Sequence, residues 1–567
     1  RLLSKMSFWR NFGFYTVSSI ETTLNKPDFT LDDLLDDEEI LQEVKAQNKK
    51  LIDVLAQPAN LKQLVDYLTT EPVEDNQKQQ FKLPLISAEV LCSDVAAILE
   101  GVMKEAALLE QLLSYLEKPA PLHSVRSNLV CRVIGFLLDK KPTETLALMQ
   151  AKEKLVDRFL DHLDNASVVE LLQKVVGSEP STENAENALF QWLKDSQLIN
   201  KLTCKLDPKL DSDTHMNAAG ALVDMSRVPA MAQALETEDI LSTLLAYVLA
   251  NPNPKPLASN SAMISGLTVI IELLRHSPQL KFESASEYPL DKLPLVYSII
   301  LKELDKFKTI LAINSSNEVI STTMGEIEPL GFARLKVLEL VSVLSQSNYQ
   351  CVDNVLMEKD MFSLVLDLFF HFRWNNVLHA HVVSMIRRGL EGANEDIKEH
   401  LLKHARLPKR IVDAEQENNA ALKEPRGVRR GYMGHLVQLA SELKKQASHS
   451  KVIETILEQD EDWKTFRDGF LKQRNEIEAH LLGGRATQMD SSSSGDDDDD
   501  DEDDLGQDDD DDGDIERQFI DATPDESDFN QDGPFDEPPH GSTSSDEDSE
   551  EDEIDGETPP QAPEEKA

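Results

Sequence analysis

Cysteine is scarce in this chain. There are four in 567 residues (Cys92, Cys131, Cys204 and Cys351), no two closer than 39 positions. With no CxxC pair to close a metal site or a short disulfide loop, they read as buried apolar side chains in a reducing compartment. Basic charge is short as well: 57 Lys and Arg stand against 104 Asp and Glu, a net charge of −47. Gripping nucleic-acid phosphates needs a basic face, so nucleic acid is excluded as the main partner. Long apolar runs are missing too. The longest uncharged stretch, residues 256–271, has 16 residues and contains Ser, Asn and Thr, against about 20 apolar residues needed to cross a bilayer. Arg10 interrupts the apolar stretch 8–15, so no signal peptide is expected. Met6 opens a more natural start than Arg1, so Arg1 to Lys5 read as a translation or gene-model remnant. A soluble, cytoplasmic protein is expected, with the nucleus as a second location and no membrane partner.

The acidic charge is unevenly spread. Residues 490–567 hold 35 acidic and two basic side chains, Arg517 and Lys566, which leaves 69 acidic and 55 basic in the other 489. Beyond Gly483-Gly484 the chain is too charged and too poor in apolar groups to offset the entropy of ordering it. Residues 485–567 are therefore expected to be an acidic, low-complexity, disordered tail, and residues 1–7 a disordered N-terminal extension. Within the tail Ser493, Ser494, Ser544, Ser545 and Ser549 each have an acidic residue three positions on. That pattern suits acid-directed kinases, and each phosphate would add about −1.5 to −2 charge. A purely solubilising tail fits the same composition.

Between these ends, apolar residues recur at the three- and four-residue steps of a helix face. Ile40, Leu41, Val44, Leu51, Ile52 and Leu55 predict one helix over 36–57. Similar blocks follow at Leu61–Leu68, Leu108–Leu116, Leu129–Leu137 and Val168–Val175. Pro58, Pro72, Pro84, Pro119, Pro121, Pro142 and Pro180 separate them. Thr30 with Asp33 predicts a capping pair, and the acidic run Asp36 to Glu39 suits a helix start. No strand alternation is evident. The blocks recur about every 20 residues, so a two-helix unit takes about 40, the period of HEAT and armadillo repeats. The fold class is all-α: an irregular HEAT/armadillo-like helical-repeat solenoid, in which each unit buries its apolar face against its neighbours, followed by the acidic tail. An irregular helical bundle is the other arrangement compatible with the pattern. Three inserts are expected: a proline turn at 251–260, a Ser/Thr/Gly-rich segment at 314–331, and a polar stretch at 414–431 carrying Arg426, Arg429 and Arg430.

No phosphate-cradling GxxxxGK[ST], no GxGxxG and no HExxH occurs, and no Ser, Cys or Thr lies in a nucleophile motif. His379 and His381 would sit about 200° apart on a helix and cannot share a ligand face. No catalytic residue, cofactor or metal site is assigned, and the chain reads as a non-enzyme. Two segments draw attention for other reasons. Gly431-Tyr432-Met433-Gly434-His435 is either a turn presenting Tyr432 and His435 to a partner or a loop-to-helix junction, with Leu436, Val437, Leu439 and Ala440 entering the core. Trp374-Asn375-Asn376 follows the apolar helix Phe362 to Phe370 and suits either a buried helix end or a partner-facing ridge.

The strings Glu39-Ile40-Leu41-Gln42-Glu43 and Lys45-Ala46-Gln47-Asn48-Lys49-Lys50-Leu51-Ile52 carry a family resemblance. So do Arg373-Trp374-Asn375-Asn376 with Leu378-His379, and Gly431-Tyr432-Met433-Gly434-His435-Leu436. Through them, and through Phe8-Trp9, Ser19-Ile20-Glu21 and Leu34-Leu35-Asp36, the chain resembles the SAPS-domain proteins, regulatory subunits of protein phosphatase 6 and of its fungal counterpart. The resemblance runs from Phe8 to about His480, giving a SAPS-like helical-repeat domain over 8–484. Val44 stands where many relatives carry Cys, and the tail is short. The resemblance implies a non-catalytic scaffold that binds the serine/threonine phosphatase catalytic subunit and directs it to substrates, with an ankyrin-repeat subunit as a third component. Glu43, Lys45, Gln47 and Asn48, together with Trp374, Asn375, Asn376, Tyr432 and His435, are the expected partner-binding residues. The competing reading is an acidic chaperone or transport adaptor that binds basic proteins through its tail.

Overall fold

The computed structural model describes residues 18–71, 78–178, 183–277, 290–312, 318–323, 325–347, 349–425 and 427–479. All belong to one compact unit, Arg1–Leu482; the second unit, Gly483–Ala567, lies wholly outside them. The extension 1–7, the acidic tail with the five serines singled out in it, and Arg426 are likewise outside the described residues.

The helical reading holds through the described residues apart from one small hairpin. The apolar blocks named above are buried, with Leu41, Tyr67, Phe136 and Phe370 among their partly exposed members. Pro58, Pro84 and Pro142 each sit in the first turn of a helix, where a missing N–H costs no hydrogen bond. Thr30 and Asp33 form the expected reciprocal capping box. The acidic run does more than face a helix dipole. Asp36 pairs with Lys78 at 3.3 Å and Lys82 at 2.6 Å, and Asp37 accepts from Ser19 Oγ at 2.7 Å.

The repeat unit differs from expectation: it has three helices rather than two. The helices Ser124–Lys140, Ala166–Val176, Ser212–Ser226, Ser261–His276, Phe332–Ser345, Asn376–Glu391 and Met433–Ala447 form a ladder in which each packs on the next. Two shorter helices, such as Gln350–Glu358 and Met361–His371, precede each rung up to Asn376–Glu391; ahead of Met433–Ala447 stand Glu395–Glu399, a π turn His400–His404 and the longer helix Leu407–Leu422. The first four rungs start 42, 46 and 49 residues apart, the armadillo period with an armadillo helix count. Periodicity alone cannot count them, because a short helix and a long one show the same 3.6-residue face.

Successive rungs run in the same direction. Asn165 Nδ2 reaches Ser127 Oγ at 2.8 Å, and His215 Nδ1 meets Ser261 Oγ at 2.8 Å, joining N-terminal ends. Lys174 reaches Asp139 at 2.9 Å and Arg275 reaches Glu339 at 3.0 Å nearer the C-terminal ends. These exposed pairs orient the rungs but add little energy, roughly 0–1 kcal/mol each. Packing carries the stability.

Four further expectations are corrected. The helix over 36–57 breaks into Ile40–Lys45 and Lys49–Leu55, with Gln47 between them at φ 57°. The polar stretch 414–431 begins helical, since Leu407–Leu422 runs through it and buries Ala414, Asn418 and Ala421. The segment 314–331 contains a small antiparallel hairpin, Ile320–Thr322 with Gly325–Ile327; three residues per strand are too few to show alternation. Cys204, expected to be buried, is exposed at a helix end, while Cys131 is buried.

Candidate functional site

Because the rungs are parallel, their N-terminal ends gather along one edge, and two marker strings meet there. Asn375 caps the Asn376–Glu391 rung, its Oδ1 accepting from Leu378 N at 2.9 Å. Gly431 opens the turn before the Met433–Ala447 rung. A Cβ there would lie 2.7 Å from Arg373 O and 3.0 Å from Trp374 Cε3, so only glycine lets the two segments approach this closely.

Beneath that contact the same strings build an aromatic nest. Tyr432, 2% exposed, packs against Phe369 and Phe370, each at 5.6 Å between ring centroids. His379 sits edge-on to Phe369 at 4.6 Å and tilted over His435 at 5.5 Å. Its Nε2 meets Phe369 O at 3.2 Å. Burial first, and the neighbouring His435 second, push the His379 imidazole down to about 4, so it is neutral at pH 7. Burial lowers His435 as well, and raises the Tyr432 phenol against the pull of Arg373 and Arg430.

Tyr432 and His379 are thus core groups that lock one repeat to the next. Trp374, Asn375 and His435 are half-buried, and Arg373, Asn376 and Gly434 face solvent. The N-terminal string is organised similarly. Asn48 caps the Lys49–Leu55 helix through Leu51 N and donates to Glu43 Oε2 at 2.9 Å, bracing the tight turn. Lys45 and Gln47 are exposed on it.

Sequence reasoning missed the apolar side chains along the rung edge. Phe332 is 76% exposed at the first position of its rung, and Val377 is 53% exposed at the second position of the next. An isolated Phe at a helix start reads as core, and only the ladder reveals that this end faces outward. The inserts converge beside Phe332. Gly331, at φ 85°, brings its backbone against Pro256, Leu257 N donates to Glu318 Oε2 at 3.3 Å, and Glu328 Oε2 meets His371 Nε2 at 3.0 Å. Exposed apolar groups of this size on one edge suit a protein partner.

By contrast, the cleft lined by His215, Tyr247, Asn251 and Asn260 has its histidine occupied. Nδ1 faces Ser261 Oγ, and Nε2 faces Asp207 O at 2.8 Å. Among the described residues no helix is long and apolar enough to cross a membrane.

A family model described as SAPS, SIT4 phosphatase-associated protein, matches residues 134–480, taking in the Trp374 and Tyr432 segments but not the Glu43–Asn48 turn. The chain is 29% identical over 520 residues to serine/threonine-protein phosphatase 6 regulatory subunit 3 of Gallus gallus, covering 82% of this chain and 58% of that one. It is 28% identical over 518 residues to regulatory subunit 1 of Mus musculus, covering 82% and 60%. It is 24% identical over 666 residues to extragenic suppressor of kinetochore protein 1 of Schizosaccharomyces pombe, covering 85% and 79%. The chain spans less than two thirds of the length of the two vertebrate relatives.

Proposed function

The chain belongs to the SAPS, or SIT4 phosphatase-associated protein, family, and on that premise we propose that it is a non-catalytic regulatory subunit. It binds a protein phosphatase 6-type serine/threonine catalytic subunit and directs it to substrates. One observation carries this reading beyond the family: the matched segment folds as an armadillo-type ladder whose rung edge sets exposed Phe332 and Val377 among the inserts and marker strings. A stable complex buries about 1,600 Å², so the partner would have to span several rungs.

Within the partner-binding set, Lys45, Gln47 and Asn376 are proposed to touch the partner, because they are exposed. Glu43, Asn48, Asn375 and Tyr432 are proposed to act by holding those segments in shape, and Trp374 and His435 stand at the boundary. An ankyrin-repeat third subunit, a cytoplasmic and nuclear location, and acid-directed phosphorylation of Ser493, Ser494, Ser544, Ser545 and Ser549 belong to the same proposal.

The test is affinity for a purified phosphatase 6-type catalytic subunit, measured with the wild-type chain, with Lys45→Ala/Gln47→Ala, and with Phe332→Ser/Val377→Ser. Wild type should bind, and the edge variant should lose about tenfold or more in affinity with unchanged melting. No binding by wild type sinks the regulatory reading; binding that neither variant weakens removes both surfaces from the interface. Phosphopeptide hydrolysis by the purified chain alone would overturn its non-catalytic role.

A further inference from the structure

No metal site is expected from the sequence, since no HExxH motif occurs and the pair His400 and His404, four residues apart, has no carboxylate ligand within its own segment that marks it out. The fold nevertheless gathers Asp360, His400 and His404, with one ligand atom from each, all within 4.8 Å of one another. Asp360 Oδ1 lies 3.3 Å from His404 Nδ1 and 3.9 Å from His400 Nε2. Metal bonds of 2.0–2.1 Å in tetrahedral geometry set donor atoms about 3.3 Å apart, so the donor spacing is already close to that of a bound ion, and ring orientation is what remains to change.

A second, independent observation points the same way. Asp360 Oδ1 and His400 Nε2 are both buried, and neither makes a hydrogen bond. Leaving two such groups unsatisfied costs about 1–3 kcal/mol each, and a shared cation would satisfy both. The surroundings hold the donors in place. Asp360 sits at φ 53°, a left-handed junction between the helices Gln350–Glu358 and Met361–His371. His400 is seated edge-on to Phe362, ring centroids 5.9 Å apart. His400 and His404 occupy the ends of a π-helical turn, His400–His404, a local distortion frequent at functional sites. The two imidazoles are stacked at 4.6 Å. Ligation requires His404 to turn out of that stack, and its side chain, 61% exposed, has room to do so.

We propose that Asp360, His400 and His404 form a three-ligand site for a zinc-class divalent transition metal, with the fourth position open to water, joining one three-helix repeat to the next. Two imidazoles and a single carboxylate select Zn²⁺-like ions over Mg²⁺ or Ca²⁺, which take mostly oxygen donors. The competing account is a plain ion pair between Asp360 and a protonated His404.

The full chain, stripped with a chelator and returned to chelator-free buffer, is titrated with Co²⁺ as a spectroscopic probe and then with Zn²⁺. Oxygen-only sites in the acidic tail give weak octahedral bands, whereas this site should give intense low-coordinate bands at one equivalent, which one equivalent of Zn²⁺ removes. Zn²⁺ should also raise the melting temperature. His404→Ala, at an exposed side chain, should keep wild-type melting without metal, lose the bands and the Zn²⁺ shift, and bind Zn²⁺ about tenfold more weakly or worse. Absence of the bands in wild type, or equal bands in wild type and variant, would overturn the site in favour of the ion pair.

Discussion

The ring of Tyr432 stands edge-on to that of His379, with centroids 5.9 Å apart and planes at 88°. The two residues are 53 positions apart and belong to consecutive rungs, so this contact is where one repeat recognises the next. The sequence strings that mark the family at this end are thus partly an internal joint. Their exposed members, rather than their aromatic ones, are available to a partner.

Removing the joint should loosen the last two repeats. Tyr432→Ala deletes a core aromatic ring and is expected to cost about 3–5 kcal/mol, seen as a lower melting temperature, while Tyr432→Phe keeps the ring and most of the stability. Equal melting of Tyr432→Ala and wild type would show that the nest does not bear on stability.

Gly431 gives a stricter test of geometry. The Cβ of Gly431→Ala would press on Arg373 O, a backbone atom that cannot swing aside. The turn must shift, at a cost of about 1–3 kcal/mol. Gly434, whose added Cβ meets nothing within 4 Å, is the control: Gly434→Ala should be neutral or stabilising, because alanine favours the helix.

Acid should act on the same nest. His379 is neutral when folded, with its pKa near 4, and near 6.5 when unfolded. The unfolded chain therefore takes up the proton first, and stability falls as pH drops from 6.5 toward 4. By pH 4.5 this one group removes about 2 kcal/mol. His379→Gln should flatten that part of the melting-temperature profile, and an unchanged slope would place the acid sensitivity elsewhere.

Asp353 works with the opposite chemistry. Burial raises its carboxyl to about 6, only partly offset by Asn394 and Arg388. Above pH 6 the folded state holds a carboxylate it disfavours, and below that the folded state binds the proton more readily than the unfolded chain. Asp353→Asn is expected to stabilise by roughly 1–2 kcal/mol at pH 7.5, with the gain disappearing as pH falls to 4. Melting of both proteins across that range checks the sign.

Much was legible from the chain alone, because burial follows a local period. Leu61, Leu64, Val65 and Leu68 had to face a core whatever lay opposite them, and Thr30 and Asp33 had to cap because both partners lie within one turn. The chain also determined that the body is helical, and its marker strings pointed to the family. The three-helix unit, the parallel rungs and the outward edge carrying Phe332 and Val377 depended on what each helix packs against. So did the roles of Tyr432 and His379, and the meeting of Asp360 with His400 and His404 across 40 residues. Local spacing cannot encode such encounters, because they arise only when separate faces, each satisfied by any apolar neighbour, are stacked in one particular order.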